Sequence, residues 1–297
     1  MPIFDLRKDT DSIKENMGKP FEGIKSGIAA LDNFILGFGK GELTTIAGRP
    51  GSGKSSMSRD ILLNVGKPET NLGTDKRPLG ASLLCTLEMS CEEVTELLAA
   101  NLAKVNYYNI KCGASSRRDT IKLQEAIEQL SSYSIIINDD SYVTPNSIRE
   151  VLVSIRETEP IACLIVDYLQ LMSLRKQVES RQTEVAEISR ELKAIAREFN
   201  IPVIAFSQLN RNVEYRPDPR PRMVDLRESG SMENDSTKII LIHRQSYYDK
   251  QLDPNAEDTG EAELIVCKYR GGCTGTVKCA FIGSWMSFRD IPDLGDF

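Results

Sequence analysis

The stretch AGRPGSGKSS, residues 47–56, places Gly48, Gly53, Lys54 and Ser55 at the spacing G-x-x-x-x-G-K-[ST]. That spacing builds a loop whose backbone N–H groups wrap phosphate oxygens, with the lysine reaching the β and γ oxygens and the hydroxyl placed to ligate Mg²⁺. It points to binding of ATP with Mg²⁺ through Gly48, Arg49, Pro50, Gly51, Ser52, Gly53, Lys54, Ser55 and Ser56. The plainer alternative is a chance glycine-rich turn. A β-prone run, LTTIA, before the loop and a helical pattern from about Lys54 to Val65 after it argue against that.

Three more polar groups stand at the ends of apolar runs. Asp167 closes CLIVD, where a carboxylate can hold the water shell of a metal beside the cradle, so Ser55 and Asp167 form the candidate metal pair. Glu88, in CTLEMS, can polarise an attacking water. Its plainer reading is an acid favoured by the dipole at a helix start. Gln208 ends IPVIAFSQ, where an amide can donate to a γ-phosphate and accept from a neighbour, reporting whether the phosphate is present. In an open α/β sheet the strand ends face the ligand crevice, so the four groups together describe hydrolysis rather than simple binding.

Positioning these groups takes alternating strands and helices. LTTIA, ASLLCTL, SIIIND, IACLIVD and IPVIAFS read as buried strands. TPNSIREVLVSIRE reads as a helix with Thr144 as N-cap and Pro145 in its first position, and Val185, Ile188, Leu192, Ile195, Ala196 and Phe199 fall at helical spacing. The pattern predicts an α/β fold with a mostly parallel sheet flanked by helices. In the last third, KIILIHR, AELIVCKYR and TVKCAFI are expected to extend it as antiparallel strands without intervening helices. Residues 1–22 read as an arm or partial linker helix and 23–297 as one domain, with FRDIPDLGDF an acidic, frayed tail.

Composition narrows the class. With 297 residues, 40% of them hydrophobic, the chain can bury a substantial core. The charged first residues are unlike a secretory signal and no run approaches the roughly 18 apolar residues of a membrane span, so a cytoplasmic protein without membrane contact is expected. Seven cysteines without a CxxC pair argue for reduced thiols. Cys267, Cys273 and Cys279 recur every six residues, which suits equivalent faces of two strands better than a metal site. His243, inside IILIH, reads as a packed histidine. A net charge of −6 argues against a surface coated for nucleic acid, though not against a local basic channel.

Taken in order, GIKSGIAALDNFILGFGKGELTTIAGRPGSGKSS, LEMS, VDYLQLM, RQTEVAEISRELKAIAREFNIPVIAFSQLNR, DLRESGSMENDSTKIILIHR and KYRGGCTGTVKCAFI resemble the C-terminal motor domain of the DnaB family of replicative DNA helicases. The resemblance spans roughly residues 23–290 and implies a RecA-like P-loop NTPase core. By it, Lys54 and Ser55 bind phosphates and magnesium, Glu88 activates water, Asp167 supports the metal and Gln208 senses the γ-phosphate. Lys268 and Arg270 would stabilise charge on the ATP of a neighbouring subunit, as an arginine finger does. Arg227, Glu228 and Gly230 match the loop that tracks the single-strand backbone. Around that loop Arg211, Arg216, Arg220 and Arg222 alternate with Glu214, Asp218 and Asp225, which suits a solvated loop as well as a basic patch.

The implied protein is a homo-oligomeric ring, with six subunits expected, that translocates 5′ to 3′ on single-stranded DNA and unwinds duplex DNA. Primase and a helicase loader are among the partners implied. The sequence departs from the family pattern in the short lead before the motor, which reads as either a naturally short helicase or a fragment, and in Ser55 where Thr is usual. Two other readings stay open on the same residues: a RecA-like recombinase, and an ATP-dependent switch or loader.

Overall fold

Strands that are apolar throughout need cover on both faces, and the chain supplies it. The computed structural model describes residues 23–69, 79–174 and 179–291, without the side chains of 227–230. The expected arm, residues 1–22, lies outside the described residues, as do 292–297 of the tail. Helix α1 (Ala29–Ile35) precedes β1 (Leu43–Gly48) and α2 (Lys54–Gly66), and β2 (Ala81–Thr86) leads into α3 (Cys91–Ala103), α4 (Tyr107–Lys111) and α5 (Arg117–Leu130). Then follow β3 (Ile135–Asn138), α6 (Pro145–Thr158), β4 (Ile161–Asp167), α7 (Arg181–Phe199) and β5 (Val203–Gln208). After the 3₁₀ segments Arg211–Tyr215 and Met223–Ser229 come α8 (Gly230–Asp235), β6 (Lys238–His243), α9 (Gln245–Leu252), β7 (Glu261–Tyr269), β8 (Gly275–Ile282) and β9 (Ser287–Arg289).

The nine strands form one sheet in the order β3-β2-β4-β5-β1-β6-β7-β8-β9. Pairing is parallel from β3 to β6 and antiparallel from β6 to β9. In β4, Cys163 and Ile165 pack on one face with Leu31, Ile61 and Leu62, whereas Leu164 and Val166 pack on the other with Leu152, Ile188 and Leu192. Both sets are fully buried, so the run shows no polar alternation. Strand β8, next to the edge strand β9, does alternate: Val277, Cys279 and Phe281 are buried, and Thr276 and Lys278, at the alternate positions, are exposed. Helix α6 starts as its sequence predicts, with a reciprocal cap between Thr144 and Ser147 and Pro145 in its first turn.

Four expectations meet the structure differently or more sharply. A helix, α9, does stand between β6 and β7; it buries only Ser246 and Tyr248, so its sequence carries little periodic signal. The six-residue cysteine spacing does not give equivalent faces, because Cys273 is exposed in the turn after β7 while Cys267 is half-buried and Cys279 buried. The tail begins as structure rather than fraying: Phe288 is fully buried, and the Asp290 carboxylate accepts from the N–H groups of Ala29 and Ala30 at 2.8 and 2.9 Å. His243 is packed as expected, with its Nε2 3.2 Å from Gln245 Oε1 and its ring stacked on Tyr248.

Candidate active site

The cradle follows β1 directly, and its geometry depends on glycine. Gly53 has φ +105°, and a Cβ there would stand 2.7 Å from the ring of Phe288, so a larger residue is excluded on both counts. Lys54 opens α2, and its Nζ donates to the carbonyls of Gly48 and Arg49, each at 3.1 Å. Burial lowers the Lys54 pKa from 10.5 to about 8, against the raising influence of Asp167 and Glu88. A cavity of about 720 Å³ opens over the loop, and Pro50, Gly51, Gly53, Lys54, Ser55, Ser56, Glu88 and Gln208 line it. The Ser52 Oγ is buried and has no hydrogen-bond partner among the described residues.

Asp167 ends β4 with only 7% of its surface exposed. Its Oδ2 accepts from Ser58 Oγ at 3.0 Å, and its buried Oδ1 has no hydrogen-bond partner within 3.5 Å among the described residues. Burial raises its pKa, opposed by hydrogen bonds from Ser55 and Ser58 and by the charges of Arg59 and Lys54. A buried carboxylate oxygen left open beside a serine hydroxyl is the donor set that a hydrated hard cation uses. Ser55 and Asp167, paired from sequence as metal ligands, are therefore together in space and fit Mg²⁺.

Gln208 reaches the cradle through the sheet, since β5 pairs with β1 so that Gln208 stands beside Gly48. A second amide holds it there. Gln170 Oε1 accepts from Gln208 N at 3.1 Å, and Gln170 Nε2 donates to Ser207 Oγ at 2.8 Å. Glu88 lies two residues past the end of β2, on the cavity wall, ahead of the Ser90 side chain that caps α3. It thus stands outside the helix, two residues before its N-cap.

Other expected residues are placed elsewhere. Arg49, grouped with the phosphate binders from sequence, turns its side chain away from the cavity: Nη1 donates to the Leu209 carbonyl at 2.5 Å and Nε to Glu214 Oε1 at 2.8 Å. Only its backbone can serve the phosphates. Lys268 pairs with Ile239 and Arg270 N donates to Thr237 O, which puts both cations at the edge where β6 begins. The cradle of the same chain lies at the opposite edge, roughly 15 Å away at 3.3 Å per strand residue. Their side chains hydrogen-bond to the carbonyls of Glu233 and Asn234, in the last turn of α8, where a helix leaves acceptors open. The backbone of Arg227 and Glu228 lies in the 3₁₀ segment and Gly230 starts α8; their side-chain contacts lie outside the described residues. Of the four nearby arginines, Arg216 pairs with Asp225 at 2.8 Å and Arg220 with Glu263 at 2.8 Å, while Arg211 and Arg222 are exposed.

Sequence reasoning passed over four residues here. Ser58 and Arg59 follow Ser55 at helical spacings of three and four, a signal that one turn of helix would have revealed. Gln170 stands in the quoted VDYLQLM, but its contact with Gln208 depends on strand order. Arg244 lines the cavity from the end of β6, its guanidinium 3.8 Å from the Phe281 ring centroid and paired with Asp258 at 3.3 Å. It obeys the same strand-end rule that singled out Asp167.

Residues 23–290 match the family model described as the DnaB-like helicase C terminal domain. The chain is 37% identical over 272 residues to a replicative DNA helicase DnaB from Leifsonia xyli subsp. xyli, covering 92% of this chain and 57% of that protein. It is 36% identical over 270 residues to the replicative DNA helicase DnaC of Bacillus subtilis, covering 91% and 57%. The chain thus spans under two thirds of the length of these relatives. A solved structure of a DnaB-like replicative helicase and its interactions with primase superposes with a TM-score of 0.86 at 31% identity, covering 97% of this chain and 68% of that one. With that family model matched over residues 23–290, the chain belongs to the family of DnaB-like helicase C-terminal domains.

Proposed function

We propose that this chain is an ATP-driven motor that assembles as a ring, with six subunits, moves 5′ to 3′ on single-stranded DNA and unwinds the duplex ahead. The observation that carries this reading is the position of Lys268 and Arg270, at the edge of the sheet opposite the cradle of their own chain. Cations there serve hydrolysis only if a second copy presents its nucleotide to them, and a ring gives every site that partner.

Within one site, free backbone N–H groups of the loop 48–53, which Pro50 cannot supply, and Lys54 hold the phosphates, and Ser55 and Asp167 would hold Mg²⁺, which when bound offsets phosphate charge. Glu88 takes a proton from the attacking water as its oxygen bonds to the γ-phosphorus and the bond to the β–γ bridging oxygen breaks. Gln208 donates to the γ-phosphate while it is present and releases it afterwards. Arg227, Glu228 and Gly230 hold the single-strand backbone, using charge and N–H groups without reading sequence. Primase and a helicase loader are the protein partners that the reading implies.

The test is ATP hydrolysis with and without single-stranded DNA, on wild type and Glu88→Gln, with molar mass recorded on the same samples. Strong DNA stimulation that Glu88→Gln abolishes, at a ring-sized mass, is the expected result. A monomer whose turnover ignores DNA would favour the switch or loader reading, and helical filaments on DNA would favour a recombinase.

A further inference from the structure

Two side-chain pairs, Arg49–Glu214 and Arg216–Asp225, joined by short stretches of backbone, run from the cradle toward the segment assigned above to DNA. Arg49, the second residue of the cradle, is 3% exposed. Its Nε and Nη2 both reach Glu214 Oε1 at 2.8 Å, and its Nη1 donates to the Leu209 carbonyl. Leu209 N in turn donates to the Gly48 carbonyl at 3.2 Å, so the cradle and the residue after β5 are joined by both backbone and side chain. Glu214 lies in the 3₁₀ segment Arg211–Tyr215. From the next residue, Arg216 Nη2 donates to Asp225 Oδ2 at 2.8 Å, and the same oxygen accepts from Arg222 N at 2.7 Å. Asn210 N closes the loop on the Asp225 carbonyl at 3.1 Å. Asp225 stands two residues before Arg227.

A guanidinium shut away from water is costly unless paired, so Arg49 does not swing freely. Its backbone sits in the loop that phosphates must order, and its head group is fixed to the segment that leads to the DNA residues. We propose that the Arg49–Glu214 pair is a positioning device through which occupancy of the cradle and engagement of single-stranded DNA are energetically linked, an inference that rests on the function proposed above. Linkage is reciprocal: if a nucleotide seats this pair in the DNA-competent arrangement, DNA raises nucleotide affinity by the same factor.

The test measures the dissociation constant of a slowly hydrolysed ATP analogue with and without oligo-dT, and takes their ratio. Wild type is expected to show a ratio of about five or more, the usual scale of coupling between sites. Glu214→Gln, Arg49→Gln and the double variant should each bring the ratio below about a third of the wild-type value. The double variant should go no lower than Arg49→Gln alone, because both have lost the Glu214 pair and the bond to the Leu209 carbonyl. Glu214→Asp, which keeps the charge, should recover part of it. Should Glu214→Gln fail to fold by stranding the buried guanidinium, the double variant leaves no charge behind and supplies the same ratio. A wild-type ratio retained in the double variant, with only a lowered melting temperature, makes the pair a structural brace and overturns the proposal alone. No linkage in wild type, together with no binding of oligo-dT, removes the DNA-motor reading and this inference with it.

Discussion

Gly48 and Gln208 stand side by side in the register of β1 on β5, so the first residue of the phosphate loop and the expected phosphate sensor share one rung of the sheet. Their proximity is set by backbone pairing rather than by a side-chain rotamer. Gln170 then fixes which way the end of β5 leaves the sheet, by accepting from Gln208 N and donating to Ser207 Oγ.

That clamp gives the first prediction. Gln170→Ala should lower the hydrolysis rate by about tenfold to a hundredfold, the scale set by an ångström of misplacement at a reacting group. Nucleotide affinity should stay within about twofold, since Gln170 is not in the cradle. Steady-state turnover and equilibrium binding of an ATP analogue separate the two quantities. Equal losses in both would mean that Gln170 supports the fold of the cradle itself.

Lys54 gives a pH prediction in two parts. Its pKa falls from 10.5 to about 8 on burial, so between those values the unfolded chain binds more protons than the native one and stability rises with pH across that window. Lys54→Met should flatten this part of the stability profile, read as urea midpoints from pH 7.5 to 10. Phosphates favour the charged amine, so binding should draw up to about half a proton from solution near pH 8. Titration calorimetry in buffers of different ionisation enthalpy measures that uptake. Its persistence in Lys54→Met would assign the proton to another group.

Lys238 is fully buried, its Nζ 2.6 Å from Glu42 Oε2 and 4.9 Å from the centre of the Tyr269 ring. Lys238→Ala should cost about 3 kcal/mol, the lower end for breaking a buried pair, because Glu42 keeps some solvent contact. Lys238→Met combined with Glu42→Gln should recover most of that loss in urea unfolding. A double variant as unstable as the single would place the cost in packing against Tyr269.

The capped start of α6 makes a smaller claim. Thr144→Ala removes the oxygen to which Ser147 N donates at 3.1 Å, and should lower stability by about 1 kcal/mol without altering hydrolysis. Thermal unfolding and turnover on the same preparation check both halves.

How much of this was legible in the sequence follows the range of the interactions. Strands β1 to β5 and helices α6 and α7 announce themselves through local periodicity and caps, and Lys54, Asp167 and Gln208 through their places at the ends of those runs. Helix α9 did not, because a mostly polar helix packed by Tyr248 has no apolar stripe to read. The direction of the Arg49 side chain could not be read because its partner, Glu214, is 165 residues away, and the pairing of β1 with β5 brings the two together. Gln170 was missed for the same reason. Long-range contacts set by strand order are invisible to spacing rules, whereas groups fixed by one strand and one loop are not.

The central claim is that each site is completed by a neighbour, and mixing two defective proteins tests it most directly. Arg270→Ala should abolish hydrolysis while sparing ATP binding, and Lys54→Ala should lose binding but keep its Arg270. Mixed rings contain some interfaces where an intact cradle meets an intact Arg270, so the account predicts turnover above either variant alone, highest near equal proportions. Absence of rescue at every ratio, in mixtures shown to exchange subunits, would contradict a cation acting across the interface.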